Sequence, residues 1–422
     1  MKGKHKIHYA WVIALACLCN QAGVLGILTN CRGMFFEPIC SELGFKLGEL
    51  TFYATIYGIM AIIFVPIAAK LLPKGRIRLL LGSAGLLMAV SEAVQCTFSK
   101  LWQWYVVGAV QGMCSSFLLT MTISLLINNW FEKKRGLVFG MVAASSGVAG
   151  AIMNAVGAKI IAGSGWRNAY IVLGAILFVL LVPLNSLAVR FKPEDMGLLP
   201  YGAGEEPEGG VKAAPPVETG FTAREAIRTA AFWLMLIVVG FNAVNSNYNQ
   251  MLGGYGKSVG YPEEQYSMFI SIAMIGSIFI KLLLGHLIDR IGCARTIDIA
   301  NIMSVAGFLF LLFGKVDVLV YCGLVLQGTT MALNSVVFPV WTRHLFGYRD
   351  YASIYSYVSI SSNAFTSIGL TFFGTIIDSS DGSYIPSAAV GMAIMIVCLA
   401  AALYCNAWAA RRRTGPEAHL SR

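Results

Sequence analysis

Apolar and polar positions alternate on a long period along this chain. Hydrophobic runs lie near 9–30, 50–71, 77–98, 101–128, 136–162, 166–189, 231–253, 265–288, 296–314, 317–341, 352–377 and 385–408, with short charged or Gly/Pro-bearing stretches between them. About 20 apolar residues cross about 30 Å of hydrocarbon as a helix, so each run is long enough to span a bilayer. Each run is expected to be helical, because a helix satisfies its own backbone N–H and C=O groups in lipid and an open strand does not. The pattern therefore predicts an all-α membrane protein of 12 transmembrane helices. One stretch breaks the rhythm. Around 190–230, Glu205, Glu206, Pro207, Glu208, Gly209, Gly210, Pro215 and Pro216 make the chain too polar to span, and it reads as a linker. The expected organisation is a six-helix bundle over 1–190, a cytoplasmic linker over 191–230, and a second six-helix bundle with a short cytoplasmic tail over 231–422.

Composition narrows the class. Of the 422 residues, 57% are hydrophobic and 12% charged, against roughly 25% charged in ordinary soluble domains. So little charge cannot cover a water-facing surface, which excludes a soluble enzyme, a coiled coil and a disordered chain. A net charge of +10 in a soluble protein would point towards nucleic acid. Here the basic residues sit in clusters between apolar runs, the pattern that orients a membrane protein. With the N-terminus in the cytoplasm and sides alternating, 23 of the 31 Lys and Arg fall inside, seven fall outside, and Lys281 lies within a span. A missed helix would scramble that sorting. Both termini are thus expected in the cytoplasm, in a plasma (inner) membrane, and the basic start Met1–Tyr9 leads into a first span read as uncleaved. Most of the ten cysteines lie inside apolar runs, where a thiol is a small hydrophobe. Cys31 and Cys40 flank an outward loop and either pair there or stay free. No metal-ligand spacing and no cofactor motif is present.

An internal repeat links the bundles. Trp11 and Asn20 stand nine residues apart in the first span, as Trp233 and Asn242 do in the seventh. Leu43-Gly44-Phe45 and Val259-Gly260-Tyr261 follow at matching places. Parallel six-helix repeats with a substrate site near mid-membrane describe the major facilitator transporters. Several stretches resemble that superfamily. Gly285-His286-Leu287-Ile288-Asp289-Arg290-Ile291-Gly292 resembles its signature loop G-x-L-x-D-R-x-G, whereas the first-bundle counterpart Lys70-Leu71-Leu72-Pro73-Lys74-Gly75-Arg76 lacks the acid. Trp130-Phe131-Glu132-Lys133-Lys134-Arg135-Gly136, Gly165-Trp166-Arg167 and Lys192-Pro193-Glu194-Asp195-Met196-Gly197-Leu198-Leu199-Pro200 resemble the oxalate/formate-antiporter and monocarboxylate-porter branches. The resemblance implies the major facilitator fold, two pseudo-symmetric six-helix bundles working by alternating access. It also implies gating by Asp289, Arg290, Gly285 and Arg135.

Ionisable groups within spans cost several kcal/mol unless paired or hydrated, so they are functional candidates. Lys281, in the eighth span, either snorkels to the interface or offers a positive charge to an anion. The carboxylate-carrying branches place an arginine four residues before the signature-loop glycine, where Lys281 stands relative to Gly285. Lysine lacks arginine's two-pronged match to a carboxylate and is the more readily deprotonated. Glu92 is either a protonated interface carboxyl or a proton relay, and Lys281 is a second proton-coupling candidate. Arg32 either reaches the outer headgroups or draws anions in.

Uncharged polar residues cluster in the first, seventh, tenth and eleventh spans. Asn30, Asn242, Asn245, Tyr248, Asn249, Gln327, Asn334 and Ser362 are the substrate-binding candidates beside Lys281 and Arg32; hydrogen bonds between helices are the alternative use of such residues. Ser362 stands where oxalate-type antiporters carry a second cation, and Ser277 where monocarboxylate porters tend to carry an acid. One buried cation suits a monoanion, and the missing acid weighs against proton symport and towards anion exchange, which needs no proton site. Gly136, Gly140, Ala144, Gly147 and Ala151 form one smooth face of the fifth span, for static packing or for sliding. No phosphate-cradling glycine motif and no nucleophile–base pair is recognisable, so no enzyme is expected. A sensor would need an output domain. The expected function is secondary transport of a small organic monoanion, by proton symport or anion exchange, in a protein for which a monomer suffices. The alternative is a permease or exporter of a neutral or amphipathic compound.

Overall fold

The computed structural model describes residues 8–74, 76–203, 220–314 and 316–414. The linker tract from Glu205 to Pro216, Gly75, and the basic residues Lys2, Lys4, Lys6, Lys212, Lys315 and Arg422 lie outside the described residues. No strand occurs among those described, only two isolated bridges, Phe131 to Tyr201 and Gly220 to Gly347. Eleven helical segments are long and apolar enough to cross a membrane. One of them, Arg135–Ala188, holds 54 residues. At about 1.5 Å per residue it is more than twice as long as the hydrocarbon is thick. It breaks at Gly165, whose φ of +82° and ψ of 161° belong to a region open almost only to glycine. The segment is therefore two spans, and the count is twelve.

The spans are α1 (Ala10–Leu43), α2 (Leu47–Leu71), α3 (Ile77–Thr97), α4 (Leu101–Trp130), α5 (135–164), α6 (166–188), α7 (Ala230–Val259), α8 (Glu263–Ile291), α9 (Cys293–Leu312), α10 (Asp317–Phe346), α11 (Tyr351–Ser379) and α12 (Ile385–Thr414). The first expected boundary, at residue 30, needs correction. The π-helical stretch Gln21–Thr29 passes through a turn into a further helix, Gly33–Leu43. Arg32, Glu37 and Glu42 end the apolar run but do not end the hydrogen-bonded ladder. Gly44, at φ +72°, ends it. Its repeat partner Gly260, at φ +96°, ends α7 in the same left-handed cap.

The chain forms two compact units, Met1–Phe45 with Tyr53–Gly210, and Lys46–Phe52 with Val211–Arg422. Large apolar side chains such as Ile63, Leu79, Val179, Phe279 and Leu282 are exposed on their surfaces, as a lipid-facing surface requires.

In the first unit, small residues bring helices close. A Cβ on Gly174 would stand 2.6 Å from the Ala93 side chain, so only glycine permits that α3–α6 crossing. Asn20 and Asn185 exchange side-chain amide bonds of 3.2 and 2.6 Å between α1 and α6. Just beyond the Gly165 break, Trp166 Nε1 donates to Glu42 at 2.6 Å and Arg167 pairs with the same carboxylate. The residues on either side of the Lys192–Pro200 motif likewise have a structural role. Trp130 Nε1 donates to Arg190 O at 3.0 Å, and the Tyr201 N–H donates to Trp130 O at 2.8 Å, binding the start of the linker to the end of α4.

In the second unit, α8 and α10 touch backbone to backbone. A Cβ on Gly328 would lie 2.5 Å from the Ser277 nitrogen, and one on Gly276 2.9 Å from Val325. The start of α2 belongs here too, because the Asp378 carboxylate accepts from the Leu47 and Gly48 amides at 2.9 and 2.6 Å. Those amides have no partner within their own helix.

Candidate functional site

In the second unit, α7 leaves α-geometry midway. Asn247–Met251 is a 3₁₀ turn, and α10 has a π-helical turn at Leu333–Val337. Such irregular backbone at membrane depth is tolerated only where protein or a cavity satisfies it. The side chains here divide into two sets. Asn245 Nδ2 donates to Gly391 O at 3.0 Å and the Tyr248 hydroxyl to Tyr384 O at 3.3 Å, both on the α12 side. The Tyr248 ring packs against Phe308 and Phe373. These two candidates serve as ties between helices, with Asn245 Oδ1 left without a partner.

The other set faces α10. Asn242 Nδ2 donates to Thr330 O at 2.9 Å, and Asn249 Nδ2 to Thr330 Oγ1 at 3.3 Å. Their Oδ1 atoms find no partner, nor do Gln327 Nε2 and Oε1, Gln250 Oε1, Thr329 Oγ1 or Asn334 Oδ1. A buried polar atom without a partner costs about 1–3 kcal/mol, so this concentration on two facing helices marks a place equipped to bind something polar. Gln250 and Thr329 belong to the polar clusters legible in the seventh and tenth spans but not to the substrate-binding candidates drawn from them; the signal was the density of amides and hydroxyls in otherwise apolar spans.

Lys281 is half-buried in α8, one helical turn beyond Ser277. Ser277 is at the Gly328 contact and donates to Met274 O at 2.7 Å. Lys281 forms no ion pair or hydrogen bond among the described residues. Ser362 is half-buried on α11, its carbonyl accepting from Thr366. Asp289 and Arg290 are exposed at the end of α8, which Gly292 terminates at φ +84°. Space beside Gly285 is open. Arg135 donates to Phe131 O and, at 3.2 Å, to Asn128 O, so it caps the last carbonyls of α4. A Cβ at Gly136, Gly140 or Gly147 would meet open space, so these members of the small-residue face on α5 are not packed against a neighbour in their own unit.

The first unit holds a different cluster. Arg32 is 6% exposed and lies over two rings, 4.3 Å from the Tyr57 centroid and 5.2 Å from that of Tyr53, a cation–π arrangement. Glu92 is 4% exposed, and its Oε2 accepts from Gln95 Nε2 and Gln111 Nε2, both at 2.9 Å. Arg32, Glu92, both glutamines, Tyr53 and Tyr170 line one narrow void with about 180 Å³ of empty space. Arg32 and Glu92, separate candidates in the sequence, line the same void in the fold. Gln95, Gln111, Tyr53 and Tyr57 were missed, although Glu92/Gln95 and Tyr53/Tyr57 stand at the i,i+3 and i,i+4 spacings of one helix face. Asn30 is outside this void, its carbonyl accepting from Asn154 at 3.4 Å. Neither Cys31 nor Cys40 is joined in a disulfide.

Comparison with known proteins agrees with this architecture. The Major Facilitator Superfamily family model matches residues 23–262 and 234–421. The chain is 20% identical over 355 residues to the uncharacterized MFS-type transporter YhjX of Escherichia coli, covering 82% of this chain and 83% of that one. It is 25% identical over 201 residues to monocarboxylate transporter 6 of Mus musculus, covering 46% and 42%. Among solved structures it resembles a bacterial homolog of the human lysosomal transporter Spinster (TM-score 0.71, 13% identity, 98% and 100% covered) and the nucleoside transporter NupG (TM-score 0.71, 12% identity, 94% and 99% covered). At such identities the structural likeness speaks for the fold alone.

Proposed function

Because the chain belongs to the major facilitator superfamily, and so is a multi-pass membrane transporter of small substrates rather than an enzyme, we propose that its substrate is a small organic monoanion such as a short-chain carboxylate. Alternating access exposes the site first on one side of the membrane and then on the other, with proton symport or anion exchange as the coupling. The observation that carries this reading is Lys281, a cation inside a spanning helix with no anionic partner among the described residues. A charge in that position costs several kcal/mol unless something balances it, and a bound carboxylate does so. Asn242, Asn249, Gln327 and Asn334 supply amides for the rest of the molecule, and Asp289 and Arg290 serve the gate. The likeness to monocarboxylate transporter 6 points the same way. The distribution of Lys and Arg supports cytoplasmic termini; a plasma membrane location and a monomer complete the reading.

Uptake of labelled carboxylates into proteoliposomes tests the proposal, with wild type beside Lys281→Ala and Lys281→Arg. Transport is expected to fall at least about tenfold in Lys281→Ala, the equivalent of about 1.4 kcal/mol, and to survive in part in Lys281→Arg. Equal transport in Lys281→Ala would remove Lys281 from the site. The second reading, a neutral polar substrate, rests on the unengaged amides of Gln327 and its neighbours. It is favoured if wild type ignores every carboxylate and moves nucleosides or other neutral polar solutes.

A further inference from the structure

We propose that the buried pocket of the first unit is a second carboxylate-binding station, at Arg32, which the substrate anion occupies at a different step from Lys281, and that Glu92 admits it only by taking up a proton. The inference rests on the organic-anion reading and assigns its coupling to particular atoms.

The guanidinium is buried and always charged. Its Nε and Nη2 are the two atoms left without a partner. Those two N–H groups are the parallel pair along one edge of the guanidinium fork, the edge that meets both oxygens of a carboxylate at once. Tyr53 and Tyr57 hold the plane in place by their rings, leaving that edge available. The void against that edge is narrow. In this arrangement no part of it admits a water-sized sphere, and a ligand enters only as ring side chains turn aside.

Charge balance supplies the coupling rule. Arg32 and an ionised Glu92 together are neutral. A substrate anion beside them would leave one uncompensated negative charge in a low-dielectric interior, which is strongly disfavoured. Protonating Glu92 removes that charge, so the pocket is neutral either with ionised Glu92 and no substrate or with protonated Glu92 and a bound anion. Gln95 and Gln111 both donate to Oε2, so the proton is carried on Oε1. The other titratable groups around Glu92 are the Tyr53 and Tyr170 phenols and the Cys31 thiol; free phenols and thiols ionise above neutral pH. One proton and one monoanion therefore load and leave together.

The test uses full-length protein in proteoliposomes with a pH dye inside and labelled acetate, lactate and pyruvate outside. Wild type is expected to accumulate the acid when the outside is acidified, with matching internal acidification. Glu92→Gln keeps the size and the two amide bonds but cannot ionise. Its gradient-driven uptake is expected to fall at least about tenfold, and the remaining exchange to lose its pH dependence. Arg32→Lys keeps the charge and loses the fork, so KM is expected to rise more than kcat falls; thermal midpoints and elution profiles identify any variant that has merely misfolded. A Glu92→Gln protein with wild-type proton uptake, or an Arg32→Lys protein with unchanged KM, would overturn the assignment. Wild type that moves no carboxylate would sink the organic-anion reading itself, a result visible before any variant is compared.

Discussion

Asn245 and Gln327 are both buried amides in spanning helices, yet their hydrogen bonds give them different work. Asn245 has its donor committed to the Gly391 carbonyl, whereas neither amide atom of Gln327 is engaged. Interhelical hydrogen bonds in membranes are worth about 0.6–2 kcal/mol, so Asn245→Ala is expected to lower the thermal midpoint. Gln327→Leu should do the reverse. It deletes two unsatisfied atoms at about 1–3 kcal/mol each and is expected to raise the midpoint while transport falls at least about tenfold, the exchange of stability for function seen when a binding group is removed. Thermal unfolding in detergent beside proteoliposome uptake checks the pair. A Gln327→Leu protein that transports normally would return Gln327 to a packing role.

At the scale of elements, helix breaks carry more meaning than helix interiors. Gly165 separates α5 from α6 in a conformation that any Cβ opposes, and the residues just after it, Trp166 and Arg167, hold Glu42. Gly163, two residues earlier, has open space around its would-be Cβ and no positive φ. Gly165→Ala is therefore expected to cost of order 1–3 kcal/mol and to reduce folded yield, with Gly163→Ala close to wild type. Fluorescence-detected size exclusion reads both, and equal behaviour would mean that the break tolerates a side chain. The same view applies to the residues that flank the Lys192–Pro200 motif: Arg190, Phe191 and Tyr201 bond to Trp130 and Asn129 and fix the start of the linker.

For the whole molecule, the governing quantity is which side each charged cluster occupies. The lopsided division of Lys and Arg predicts that cysteines introduced at exposed Lys134 or Arg290 are shielded from a membrane-impermeant thiol reagent in intact cells. Cysteines at Lys100 or Lys257 are expected to react. The inverse labelling would reverse the assigned orientation and with it the sides named for the gate.

Much of the architecture was legible in the chain because hydropathy over a span is a local sum: the twelve spans, the repeat in Gly44 and Gly260, and the exclusion of enzyme chemistry need no tertiary information. Lys281 stood out for the same reason, a lone cation in an apolar run. The tertiary structure decided which polar side chains meet. Asn242, Asn245, Tyr248 and Asn249 are close in sequence, but on a helix, with its local 3₁₀ turn, they point to different neighbours, so two are ties and two face α10. Arg32 and Glu92 are far apart in sequence, and no periodicity links them; only the packing of the first unit's helices puts a guanidinium and a carboxyl into one void. Span membership follows from composition along one helix. A binding site depends on the rotation of several, set by contacts such as Gly174 on Ala93 and Gly328 on Ser277, which operate over a few ångströms and leave no pattern in a single sequence.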